Sequence, residues 1–313
     1  MKSFAAPAAV NTRRLEYIKC VVIVNLFWQP SWKRDPLLPL VCTNELVLIN
    51  VFSLSIIKPK PYLPACPLRD MRARGIFGND SPNLLGFFEC CSVDDNVHIV
   101  GKYFENGSLS EHLSLYGNMT ESAAKDMLVQ LLEGISYLQN LGISIRLISA
   151  SNIFVSSDTA NSNPYYQFGN FEAAVRSPLR DDILNADDTP FTASSFKSIR
   201  GKVSSESREY LAPEMFGDNP FINPMFSDIY SLAVVLFYSV KGRFPIPFTP
   251  ITLQNDTITL RGIDPWREIA WVQDGEEPFT PLFENLLKGM LEEVPEKRFT
   301  VSQILAHPWL SQV

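Results

Sequence analysis

The sequence predicts an α+β fold in which strands come first and helices make up most of the remaining chain. Three observations predict it. β-branched and aromatic runs fill Val21 to Phe27 and Leu46 to Ile57, which is the composition of strands. After Thr120 the apolar residues Ala124, Met127, Leu128, Leu131, Leu132, Ile135 and Leu138 recur at steps of three and four, so a long helix buries one stripe. A second apolar helical pattern, FSDIYSLAVVLFYSVKG, ends in a glycine suited to a helix terminus. At 313 residues, with 46% hydrophobic and 19% charged residues, the chain can form one two-lobed domain or two small ones around a sizeable core.

Composition narrows the function classes. The net charge is -7 and the pI near 5.1. With no Lys/Arg block, this argues against a nucleic-acid or anionic-membrane surface. Cys20, Cys42, Cys66, Cys90 and Cys91 are odd in number and show no CxxC spacing, and the three histidines, His98, His112 and His307, are scattered. A zinc site is not expected from them; buried free thiols in a reducing, cytoplasmic setting are. Cys20 to Trp28 and Leu46 to Ile57 are too short to span a bilayer. No signal peptide is read at the start, so the sequons at Asn106 and Asn118 are expected to stay unused.

Taken in order, residues 1–14 read as a loose tail. Prolines 30, 36, 39, 59, 61, 64 and 67 punctuate the strand region, and no glycine precedes Gly75. Gly107 and Ser108 fit a turn and a helix cap, Thr120 a cap for the long helix, and Gly142 its end. SSDTANSNP, residues 156–164, is a polar insertion between two strands. Residues 170–214 are rich in Ser, Thr and Asp and read as a long loop. Leu282 to Leu291 reads as a helix. Thr300 and Gln303 form a capping box for the next, which Pro308 is expected to stop.

Several motifs in sequence carry a resemblance. In GISIRLISASNIFV, Ile145, Arg146, Leu147 and Asn152 stand at the spacing of the His-Arg-Asp, four residues, Asn pattern. SSESREYLAPEMF contains Ala212-Pro213-Glu214, FSDIYSL contains Asp228, and VPEKRFTVSQILAHPWL contains Arg298. Over residues 81–313 the chain resembles the eukaryotic protein kinase superfamily, nearest to calcium/calmodulin-kinase-like Ser/Thr kinases by its HPWL and GRFP segments. The resemblance implies a bilobal α+β kinase-like fold. Residues 15–103 would be a small β-rich lobe, with 15–75 matching poorly, and residues 104–313 a larger helical lobe.

The resemblance also assigns positions. Leu147 stands where the catalytic Asp would be and Ser149 where a phosphate-steadying Lys would be. Asn152 keeps a metal-ligand position. The Asp-Phe-Gly that holds Mg²⁺ is replaced in either of two registers, Gln167-Phe168-Gly169 or the preferred Asn170-Phe171-Glu172. Lys58 is the candidate ATP-contacting lysine, with Lys60 competing and Asp70 as its helix acid. The absence of early glycines leaves no Gly-rich loop to cover phosphates. Asp228 is implied to brace the catalytic loop, Glu214 to pair with Arg298, and Phe171 and Ile145 to join an internal hydrophobic column. Thr189, Thr192, Ser194, Ser195 and Ser198 are candidate phosphorylation sites whose phosphates would pair with Arg146.

The expectation is a pseudokinase: a binding and regulatory module in phosphorylation signalling. ATP and Mg²⁺ would bind only if nucleotide binding is retained, and the partner would be a protein, an active kinase or its substrate. The alternative is an unconventional active Ser/Thr kinase using Glu172 or Asp158 as a substitute acid. A third reading makes residues 1–75 something other than a proper nucleotide lobe.

Overall fold

The computed structural model of the chain describes residues 18–23, 26–27, 42–43, 46–53, 67–93, 96–104, 106–157, 163–176, 209–216, 223–246 and 269–311. They fall into two compact units. Met1–Lys60 with Phe88–Tyr103 form one, and Pro61–Phe87 with Phe104–Val313 the other.

The first unit is built from strands β1 (Ile18–Ile23), β2 (Leu26–Phe27), β3 (Cys42–Thr43), β4 (Leu46–Ser53), β5 (Glu89–Val93) and β6 (Asn96–Lys102). Four of them form an antiparallel sheet in the order β1-β4-β6-β5, and β2 pairs with β3. Register places Cys20 opposite Ile49, Val51 opposite His98 and Cys90 opposite Ile99. In β6, Val97 and Ile99 are buried while His98 and Val100 are only partly so, the period of two that a sheet with one packed face requires. The apolar run from Leu46 thus yields a strand ending at Ser53, and Ser55 to Ile57 lie outside the described residues, as does the 1–14 stretch.

The second unit opens with α1 (Pro67–Phe77). Ala73 and Phe77 of this helix are fully buried, and Leu84 beyond it bridges to Phe168. Residues 67–87, which the sequence groups with the strand region, therefore pack as part of the helical unit. Next come α2 (Leu109–Tyr116) and α3 (Glu121–Asn140). Ser108 caps α2, and Glu111 completes a capping box by accepting the Ser108 N–H at 2.7 Å. The Thr120 hydroxyl caps α3 by accepting the Ala123 N–H at 3.2 Å. The buried residues of α3 are the seven of the predicted stripe together with Gly134. A Cβ at Gly134 would stand 3.3 Å from Leu84 Cδ2, so the glycine admits the 81–85 segment against the helix. Gly142, with φ +74°, lets the chain leave α3 in the left-handed region.

Beyond α3 run β7 (Ile143–Ser144), β8 (Ile153–Ser157), β9 (Pro164–Phe168) and β10 (Val175–Arg176). β8 pairs with β9 and β7 with β10, both antiparallel. Gln130 on α3 secures β9 with both ends of its amide, donating to the Pro164 carbonyl and accepting from the Tyr166 N–H. Helix α4 (Pro224–Lys241) is buried on nearly every side, starts at the Asn223 cap and ends at left-handed Gly242. Helices α5 (Pro281–Met290), α6 (Val301–Leu305) and α7 (Pro308–Ser311) complete the core. As expected, α6 ends before Pro308, which also opens α7, because a proline needs no N–H in a first helical turn. Among the described residues no helix is long and apolar enough to cross a membrane.

Candidate functional site

The loop between β7 and β8 is held from beneath by α4. Asp228 accepts the main-chain N–H of Ile145 at 2.8 Å and of Arg146 at 2.7 Å. Burial pushes the Asp228 carboxyl up to about 6; hydrogen bonds from Ser144, Ile145 and Arg146, and the Arg146 charge, act the other way. Arg146 sits at φ +64° and is 4% exposed, with Nε donating to the Ala173 carbonyl. The side chain that the resemblance offers to a phosphorylated loop is thus engaged by the main chain next to β10. Ile145 and Phe171 are both buried in the core of this unit.

Leu147 packs against the same core and has no polar atom to present. Its carbonyl accepts the Asn152 amide Nδ2 at 2.9 Å. Ser149 is buried, and its Oγ has no hydrogen-bond partner among the described residues. The 3-10 turn Ala150–Asn152 carries Asn152 into line with the segment after β9.

There, Asn170 adopts φ +60°, a left-handed conformation that Asn tolerates better than most residues. Its Nδ2 donates to Asn152 Oδ1 at 3.1 Å, and its Oδ1 accepts the Glu172 N–H at 3.3 Å. Gln167 of the other register faces elsewhere, donating to the Pro82 carbonyl at 2.7 Å. The two asparagines form a chain of amides whose direction is set at both ends. The Glu172 N–H can only donate and the Leu147 carbonyl can only accept, so each side-chain orientation is fixed.

Helix α1 meets the same turn from the other side. Asp70 Oδ1 accepts the Phe171 N–H at 2.6 Å and the Arg74 Nε at 3.0 Å. The Asp70 and Arg74 side chains are 8% and 6% exposed. The Phe171 ring meets Phe77 edge-on at 4.8 Å and lies 5.8 Å from the Arg74 guanidinium. Arg69 donates to the Glu172 carbonyl at 3.0 Å. Asp70 thus has Arg74 as its counter-ion. Lys58 and Lys60 lie outside the described residues, as do Asp158, Thr189, Thr192, Ser194, Ser195 and Ser198. No motif in the sequence marks Arg74, although Asp70 and Arg74 stand at the i, i+4 spacing of a helical ion pair.

Farther out, Arg298, 1% exposed, clamps Glu214 with two hydrogen bonds of 2.8 and 3.0 Å. Ser227 donates to the same carboxylate at 2.9 Å, and Arg298 also reaches the Phe226 and Glu292 carbonyls.

This donor set does not fit Mg²⁺. A hard divalent cation calls for charged or free oxygens. Asn152 and Asn170 offer two neutral amide oxygens, each already accepting a protein N–H. Among the described residues no group of three His, Cys, Asp or Glu side chains could hold a metal ion.

The fold and this order of motifs define a protein-kinase-like domain. The sequence matches the protein kinase domain family over residues 77–310, and the chain belongs to that superfamily. It is 25% identical over 233 residues to the serine/threonine-protein kinase kin-29 of Caenorhabditis elegans, covering 74% of this chain and 24% of that protein. It is 26% identical over 231 residues to the serine/threonine-protein kinase SIK2 of Gallus gallus, covering 73% and 24%. To sperm motility kinase 1 of Mus musculus it is 24% identical over 248 residues, covering 79% and 44%. The chain spans about a quarter of the length of the first two relatives. Their Ser/Thr type agrees with the calcium/calmodulin-kinase-like character of its carboxyl-terminal motifs.

Proposed function

We propose that this chain is a pseudokinase: a cytoplasmic binding and regulatory module of phosphorylation signalling that does not transfer phosphate. The observation that carries the reading is the joint state of Leu147, Asn152 and Asn170. Transfer of the γ-phosphoryl group requires an acceptor for the hydroxyl proton and a cation to offset the charge that develops on the phosphate. Leu147 accepts no proton. The two amide oxygens at the metal positions already accept N–H groups and carry no charge. Loss of a general base alone lowers rates by about 10²–10⁴, and here the metal positions carry no charged ligand as well. The kinase-like shell around these positions is intact, which supports a role in binding. The partner we favour is a protein, an active kinase or one of its substrates, given that the related proteins are Ser/Thr kinases.

The test is a transfer assay with radiolabelled ATP and a general protein acceptor, run beside thermal unfolding with ATP in Mg²⁺ and in EDTA. The expected results are background transfer and no Mg²⁺-dependent rise of the midpoint. A ligand at a hundred times its Kd adds about 2.7 kcal/mol of stability, so genuine Mg²⁺·ATP binding would be plain. Metal-dependent transfer that disappears in Glu172→Gln would replace this reading with an unconventional active kinase.

A further inference from the structure

The turn Asn170-Phe171-Glu172 is tied from two directions by side chains. On one side Asp70 accepts the Phe171 N–H, Arg69 binds the Glu172 carbonyl, and Phe77 and Arg74 cover the Phe171 ring. On the other, Asn170 binds Asn152, which in turn holds the Leu147 carbonyl. Both main-chain donors of the turn, at Phe171 and Glu172, are satisfied by side chains at 2.6 and 3.3 Å. The acid of α1 takes its counter-ion from its own helix, one turn on, and α1 packs within the helical unit. The turn's main-chain donors and its two asparagines are thus held together without a cation or a phosphate as a bridge.

We propose that Asp70 and the Asn152–Asn170 amide pair together act as a permanent lock on this turn, standing in for metal and nucleotide, so that its shape is the same with or without them. The inference goes beyond the absence of transfer. A protein could lack transfer and still need Mg²⁺·ATP to order this segment; this one does not. As a consequence, the face formed around the turn is a constant feature that a partner meets in one conformation, and nucleotide does not regulate it.

The experiment is amide hydrogen exchange read by mass spectrometry on peptides spanning 168–174, for the full chain in EDTA, in Mg²⁺, and in Mg²⁺·ATP. The expected result is strong protection that agrees across the three conditions within about two-fold. Asp70→Ala and Asn152→Ala should each speed exchange of these peptides by about ten-fold or more, while peptides of α3 keep their protection and report an intact fold. A rise in wild-type protection of about ten-fold on adding Mg²⁺·ATP overturns the lock, as does wild-type exchange at the rate of an open loop. Unchanged protection in both variants also overturns it. Should a variant lose α3 protection as well, the wild-type comparison across the three conditions decides. Transfer assays and exchange are separate readouts. Nucleotide-dependent order without transfer would remove this inference and leave the proposed function standing, and transfer with constant protection would do the reverse.

Discussion

At the scale of single residues, two buried charges of the helical unit stand in pairs, Arg74 with Asp70 and Arg298 with Glu214. Arg298 is almost fully buried and shares Glu214 with Ser227. Arg298→Met leaves the carboxylate without its cation, and breaking such a pair costs about 3–5 kcal/mol. Urea unfolding at neutral pH should show a loss of that size. Asp228 behaves differently. Its folded pKa, near 6, lies above the unfolded value of 3.8. Its contribution is therefore fully present below the unfolded value and is lost as pH rises through about 6. In Asp228→Asn an N–H replaces one of two acceptors and faces a main-chain N–H, which costs about 1–3 kcal/mol at pH 7. The gap between wild type and this variant should widen as pH falls from 7 to 5, because only the wild type gains from protonation. Urea midpoints across that range check the sign.

At the scale of elements, caps and cross-links set the helices. Thr120→Ala removes the cap of α3 and should lower stability by about 1 kcal/mol, a small shift of the urea midpoint. The end of α4 is joined to the 269–280 segment by Arg243, which grips both oxygens of Glu276 at 2.6 Å. The hydrogen bonds from Arg243 hold the Glu276 carboxyl down to about 2. Because that value is depressed, the contribution is present above about 4.5 and is lost as pH falls through about 2. Glu276→Gln should therefore flatten the acid limb of the stability profile in that window. These elements differ in how far the sequence announced them. The stripe of α3 was legible because burial on one face forces a period of three and four. The packing of α1 was not, because its buried face is short and includes the charged Arg69, Asp70 and Arg74. Which residues meet at the loop was legible as spacing. That Asn170 turns its amide toward Asn152 depends on a left-handed φ that no pattern of residue types encodes.

At the scale of the whole molecule, the proposed function predicts that a single substitution does not produce transfer. Leu147→Asp restores a proton acceptor at one position and leaves the amides at the metal positions as they are. Its transfer in the radiolabel assay is expected to stay at background. The chain has no glycine before Gly75, so no backbone-lined phosphate loop is available in the first unit either. Among the described residues the elements of the helical unit run in order from α1 to α7, and on the proposed function that order is kept without phosphoryl transfer.

The grip of Asp228 on the loop explains how such a separation arises. The carboxylate holds main-chain N–H groups at Ile145 and Arg146, and every residue type except proline has one. The loop therefore takes its course whatever side chains it displays. A change of side chain at position 147 leaves these two main-chain bonds in place, although it alters the packing of Leu147 against the core. On the proposed function, reactive groups could change in this way while the loop keeps its course, leaving a shape that outlasts its chemistry.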